Sequence, residues 1–287
     1  VAGLATNVLP SDKPSDPYQF VADKVKIRLV NSNDPMAAQI LEFGVDRTTT
    51  KRQTMTLPYG LTLHSCINYT REWLEEKVRK TGHNPFGLEM YKPVAFLGKI
   101  IWESIGDVVG SAQRGMDFIR GCMGVLIDND VTPYWNTPIG FPVRMRYENY
   151  DIVTVSTRIG AKAKVLSLRQ ENGIQSKRKA LNGGPANYIH SLDGFGGLLG
   201  HTVNLCAANG VNHLGSVHDQ ILCLAADYMK VSSCVREATV DIFSRDLLTE
   251  FRNGVLTMLP SSANLPPVPE YGSLDISKVR DSDYYFN

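Results

Sequence analysis

Arg47, Lys51, Met55 and Tyr59 fall at successive intervals of four residues, and Gly60 follows directly. On an α-helix a step of four advances about 400°, so each residue is displaced about 40° from the last. They form one slowly turning stripe: two cations, a sulfur side chain, then an aromatic ring. The cations suit the phosphates of a nucleoside triphosphate. The ring, beside a helix-breaking glycine, suits a base or a sugar. Basic residues four apart also occur on solvated amphipathic helices. The added Met55 and Tyr59-Gly60 in one register are what point to a nucleotide-polymerising site. Pro58 weakens the last turn, because it has no amide to bond to Thr54.

Two further groups carry chemistry. Val217-His218-Asp219 lies where two short runs that read as strands, 212–218 and 220–224, meet at His218-Asp219. Phosphoryl transfer needs carboxylates that hold Mg²⁺ over the attacking oxygen and the pyrophosphate. A tight hairpin can project Asp219 rigidly into a cleft; a plain surface turn is the competing reading. The third group is Pro185-Ala186-Asn187-Tyr188-Ile189-His190-Ser191-Leu192-Asp193. His190 can hydrogen-bond a sugar hydroxyl or a minor-groove acceptor. The competing reading makes Asn187, Ser191 and Asp193 a cap network at a helix start.

The elements that must position these residues are mostly helical. Ser15-Asp16-Pro17 supplies a cap and then proline at the first helical position. Tyr18, Val21, Val25 and Leu29 follow at helical spacing. Asn33-Asp34-Pro35 starts a second helix to Phe43, and the stripe forms a third. Further helices are predicted over 67–80, closed by Gly82, and over 94–127, where Gly98, Gly106, Gly110, Gly115 and Gly121 allow close packing or breaks. The middle turns β-rich, with alternating strands predicted over 142–147, 152–158 and 164–169 and a hairpin tip at 159–162. Helices return over 187–208 and 227–251. The end is proline-rich and closes on Tyr284-Tyr285-Phe286-Asn287.

At 287 residues the chain can bury one large core or two smaller ones. With 43% hydrophobic and 21% charged residues it reads as soluble and globular. No apolar stretch reaches membrane-spanning length and no signal peptide is visible. The five cysteines are odd in number and form no CxxC pair, which fits a reducing cytosol rather than a disulfide framework or a zinc site. Net charge is only +1, but residues 140–179 hold nine Lys/Arg against three Asp/Glu. That local excess suits nucleic acid or a solvated surface.

Taken together, the stripe, the His218-Asp219 turn and the His190-Ser191-Leu192-Asp193 segment resemble the single-subunit RNA polymerase family of phages and mitochondria. The stripe reads as that family's motif B and the turn as its motif C. Lys99-Ile100-Ile101-Trp102-Glu103-Ser104, the run from Thr137 to Val143 and Ser282-Asp283-Tyr284-Tyr285-Phe286 add to the match, which spans nearly the whole chain in order. Even Asn7-Val8-Leu9-Pro10 is similar to the segment just after motif A.

The resemblance implies a right-hand polymerase fold, α+β and mostly helical. Residues 1–29 would join the palm, 30–185 would form fingers with a specificity hairpin at 151–169, and 186–287 would complete the palm. It implies template-directed RNA synthesis from NTPs on DNA. Arg47 and Lys51 would neutralise the triphosphate, while Met55, Tyr59, Gly60 and His190 would bind the nucleotide and check its 2′-hydroxyl. Related DNA polymerases usually place an aromatic residue where Met55 stands, so Met55 argues against the rival reading of a family A DNA polymerase fragment. A non-catalytic nucleic-acid-binding subunit of the same fold is the other rival. Asp219 would be a Mg²⁺ ligand with His218 beside the RNA 3′ end. Arg158, Lys162 and Lys164 would contact promoter DNA near the hairpin tip, and Lys177, Arg178 and Lys179 read as backbone contacts or plain surface.

The family's second metal-binding aspartate, in motif A, has no counterpart in these residues, and neither has its N-terminal promoter-binding domain. The expectation is therefore the C-terminal catalytic part of a split or cleaved enzyme, inactive alone. A second polypeptide or an upstream segment would supply motif A. The expected setting is the cytoplasm of a phage-infected host, with the mitochondrial matrix as the alternative.

Overall fold

The computed structural model describes residues 2–160, 162–217 and 220–286. One turn, α1 (Ala2–Ala5), comes first. Aspartates then start the helices. Asp16 accepts the amides of Tyr18 and Gln19 at the head of α2 (Pro17–Val30). Asp34 accepts that of Met36 at the head of α3 (Pro35–Phe43). Asp46 and Thr49 form a reciprocal capping box at the head of α4 (Arg47–Thr56). A 3-10 turn, Leu57–Tyr59, continues α4. Gly60 closes it at φ +86°, a backbone region that glycine enters at no steric cost.

α5 (Leu63–Thr81) begins four residues before the expected start, because Thr62 caps it by accepting the amide of Ser65. α6 (Tyr91–Asp128) runs across its glycines with one non-helical residue, Val109, at φ −127° and ψ +26°. The two halves of α6 serve different cores. Leu97, Ile101 and Ile105 pack with Val21, Val25, Leu29 and Ile40. Ile119, Met123 and Leu126 pack with Trp135, Tyr188 and Phe251. Each fully buried aliphatic side chain in these clusters contributes about 1.5–3 kcal/mol.

The strands make three separate antiparallel pairs. β1 (Tyr134–Asn136), not anticipated from sequence, pairs with β2 (Pro142–Arg144). The predicted strand over 142–147 stops at Arg144, where Met145 turns in to bond Pro133 and bury. β3 (Glu148–Ile159) and β4 (Lys162–Gln175) form a ribbon longer than the expected 151–169. β5 (Leu214–Val217) pairs with β6 (Gln220–Cys223).

Two predicted helices are each broken in two. α7 (Lys177–Asp193) starts ten residues before the expected 187, and α8 (Leu198–Ala208) follows a glycine-rich turn. A Cβ at Gly197 would lie 2.0 Å from the Leu192 carbonyl oxygen, so only glycine fits this turn. The predicted helix 227–251 is α9 (Tyr228–Phe243) followed by α10 (Leu247–Leu256), which Asp246 restarts by accepting the amide of Thr249. The C-terminal segment straps back onto α9 through Arg280 with Glu237 and Tyr285 with Thr239.

The architecture is α+β and mostly helical, as the sequence implies. All five cysteines are free, and burial pushes the Cys66 and Cys122 thiols up to about 12. Among the described residues no helix is long and apolar enough to cross a membrane.

Candidate functional site

α4 buries a polar, small-residue face. Thr49, Thr50, Gln53 and Thr54 are buried, the Thr50 hydroxyl donates to the Tyr18 carbonyl at 2.7 Å, and Gln53 Nε2 donates to Thr70 at 3.2 Å. Short side chains let α4 sit closely against its neighbours and fix its rotation. The opposite face is therefore the stripe. Lys51 is exposed, Met55 is 47% exposed and Tyr59 is 39% exposed.

Arg47 is held at the head of the stripe. Its Nε donates to the Asp16 carboxylate, and its guanidinium carbon lies 5.0 Å from the centre of the Tyr18 ring. Burial alone would raise the pKa of Asp16. The Arg47 bond and the amides of Gln19 and Tyr18 outweigh that and hold the carboxyl below its ordinary range.

At the other end, the rings of Tyr59 and His190 lie 4.6 Å apart, tilted by 31°. Stripe and histidine segment therefore meet, although 131 residues separate them. α7 presents His190 because its other face is anchored. Tyr188 donates to the Leu247 carbonyl at 3.1 Å and packs 4.7 Å from Phe251 and 5.9 Å from Trp135. Burial raises the Tyr188 phenol pKa, so it stays a donor. Ser191 accepts from Trp135 Nε1 at 3.0 Å and donates to the Tyr188 carbonyl. Asn187 donates to the Tyr147 hydroxyl at 2.9 Å. The alternative cap network at 187–193 does not form, because the helix begins at Lys177 and these residues lie in its body and last turn. Lys177 itself pairs with Asp128.

Beside the ring pair is a cavity of about 330 Å³ lined by Tyr59, Asp193, Thr202, Ile221, Tyr285 and Phe286 among others. The Thr202 hydroxyl is buried there without a hydrogen-bond partner. Ile221 belongs to β6, so the β5–β6 pair borders the same cavity as Tyr59. His218 and Asp219 themselves lie outside the described residues. Among the described residues no group of three or more His, Cys, Asp or Glu could hold a metal ion. They do not by themselves form a Mg²⁺ site.

The hairpin register separates the three basic residues near its tip. Arg158 pairs with Ala163, whereas Lys164 pairs with Thr157 and Lys162 with Ile159. Side chains alternate faces along a strand, so Arg158 lies on one face and both lysines on the other. All three are exposed. Sequence reasoning placed Asp16 only as a helix cap and Trp135 nowhere. Asp16 and Arg47 are 31 residues apart, and no local spacing signals their pairing.

The DNA-dependent RNA polymerase family model matches residues 1–264. The chain is 26% identical over 295 residues to "DNA-directed RNA polymerase 2A" of Nicotiana tabacum, covering all of this chain and 85% of that protein. It is 29% identical over 293 residues to "DNA-directed RNA polymerase 2, chloroplastic/mitochondrial" of Arabidopsis thaliana, covering 99% of this chain and 28% of that one. It is 28% identical over 295 residues to "DNA-directed RNA polymerase 3, chloroplastic" of Nicotiana sylvestris, covering 99% of this chain and 29% of that one. The chain thus spans under a third of the length of the last two relatives.

Proposed function

Because this chain belongs to the DNA-dependent RNA polymerase family, of the single-subunit phage and mitochondrial type, we propose that it carries the nucleotide-selecting face of a template-directed RNA polymerase. The contact of Tyr59 with His190 at 4.6 Å carries this reading, since it joins the two segments that nucleotide selection requires.

In this reading Arg47 and Lys51 bind the triphosphate of an incoming NTP and offset the negative charge that grows on the departing pyrophosphate. Met55 lines the path to the sugar. Tyr59 and His190 check the 2′-hydroxyl, with Gly60 fixing the turn that places Tyr59. Asp219 would hold Mg²⁺, and His218 would serve beside the RNA 3′ end. The metal would lower the charge barrier to in-line displacement when bound. The second carboxylate comes from outside these 287 residues, on an upstream segment or a second polypeptide. Residues 30–185 serve as fingers, with 1–29 and 186–287 as palm. The exposed, basic-tipped hairpin contacts promoter DNA through Arg158, Lys162 and Lys164.

The test is ribose selection by the complete polymerase containing this chain. Tyr59→Phe and His190→Ala should each lower NTP-over-dNTP discrimination by about ten-fold or more, because a site built to pair with a hydroxyl rejects the analogue lacking it. Unchanged discrimination in both variants would sink the assignment.

A further inference from the structure

Arg47, at the stripe's head, is held by Asp16 and Tyr18. Both oxygens of Asp16 are committed: Oδ1 takes the amides of Tyr18 and Gln19, and Oδ2 takes Arg47 Nε. The carboxylate is thus fixed to the first turn of α2 before it meets the arginine. Tyr18 adds two contacts, its ring against the guanidinium and its carbonyl accepting from Thr50 one turn along α4. The first turns of α2 and α4 are clamped together around one guanidinium.

We infer that Asp16 is a positioning residue for triphosphate binding: it takes Nε of Arg47, so Nη1 and Nη2 are left for phosphate oxygens. This rests on the reading of Arg47 as a phosphate ligand. The pair is half exposed, with 44% of the Arg47 side chain and 35% of the Asp16 side chain accessible, and so adds little to stability. Its effect lies in ordering. A free arginine must give up its rotamer freedom when the nucleotide arrives, and one held by Nε has already done so. Lysine at position 47 could not be held this way, because it has no Nε beside a second pair of donors.

The experiment compares KM and kcat for NTP addition by the complete polymerase across Arg47→Ala, Arg47→Lys, Asp16→Asn, Asp16→Ser and the double variant Arg47→Lys with Asp16→Asn. Asn and Ser both remain good helix caps, so two variants guard against loss of the α2 start. Each should raise KM by about two- to ten-fold, the ordering cost of one long side chain, and lower kcat by less than Arg47→Ala does, because the guanidinium is still present to offset charge on the departing pyrophosphate. In the Arg47→Lys background Asp16→Asn should add nothing further. An unchanged KM in both Asp16 variants, while Arg47→Ala raises it, overturns the inference and leaves the functional reading standing. A lowered KM overturns it too, since the carboxylate would then compete with the triphosphate. If Arg47→Ala itself leaves KM unchanged, the phosphate role of Arg47 falls instead.

Discussion

Replacing Gly60 with alanine isolates one backbone effect at the centre of the site. Gly60 sits at φ +86° and ψ +35°, directly after Tyr59. An L-residue in that left-handed region loses roughly 1–2 kcal/mol to the contact between its Cβ and its own backbone. Space adds nothing to that loss. A Cβ at Gly60 would lie 3.6 Å from Arg120 Nη2 and 3.6 Å from the Asn182 carbonyl oxygen, which is ordinary contact. Gly60→Ala should therefore destabilise the chain by about 1–2 kcal/mol through conformation alone, a drop of roughly 2–8 °C in Tm for a chain of this size. Gly60→Asn should lose less, because asparagine enters that region more readily than alanine. Urea unfolding of the three proteins gives the comparison. Any relaxation of φ at residue 60 changes the course of the chain directly after Tyr59, so ribose discrimination should fall with stability. Alanine as stable as glycine, or asparagine worse than alanine, would refute the argument from backbone conformation.

Four other outcomes are expected. Asp219→Asn should abolish nucleotide addition in the complete polymerase while leaving DNA binding largely intact; normal elongation would remove the metal role. Ser191→Ala should cost about 1–3 kcal/mol in chemical denaturation, because the buried Trp135 Nε1 loses its acceptor. Asp16 and Asp46 both have carboxyl pKa values held below the ordinary 3.8: burial raises each, and the Arg47 pair or the Thr48 bonds more than offset it. Their stabilisation is present above that value and is lost as pH falls through the lower folded values, so Asp16→Asn with Asp46→Asn should flatten the acid limb of a stability-versus-pH curve. Lys162→Gln and Lys164→Gln should each reduce the salt slope of promoter binding by about one if their face meets the phosphates, and a slope moved by Arg158→Gln alone would assign the contact to the other face.

The stripe was legible because four residues in one register encode a helix face without any knowledge of its neighbours. Its end was legible too, since Tyr59-Gly60 stops a helix by local chemistry. The hairpin could be read from alternation, and the starts of α2 and α3 from their aspartates. The breaks could not. Gly106, Gly110 and Gly115 sit inside α6, whereas Gly194, Gly196 and Gly197 end α7, and composition alone does not separate the two cases. What decides is the tertiary fit, such as the Leu192 carbonyl that leaves no room for a Cβ at residue 197. The pairing of Asp16 with Arg47 and the support of α7 by Trp135 were hidden for the same reason: both join segments far apart in the chain.

The single non-helical residue in α6 sets a gearing ratio. α5 packs on α6 before Val109, where Gly98 meets Ile67, and α7 packs on it afterwards, where Gly184 meets Met123. Met123 is 14 residues beyond Val109, a lever arm of about 21 Å at 1.5 Å per residue. A change of about 10° in the bend at Val109 swings the far arm by roughly 4 Å at Met123. That is close to the whole 4.6 Å separating Tyr59 from His190. A bend of about 10° at one valine, on neither of the two segments that meet, thus moves the arm on which α7 packs by a distance comparable with the spacing of those two rings.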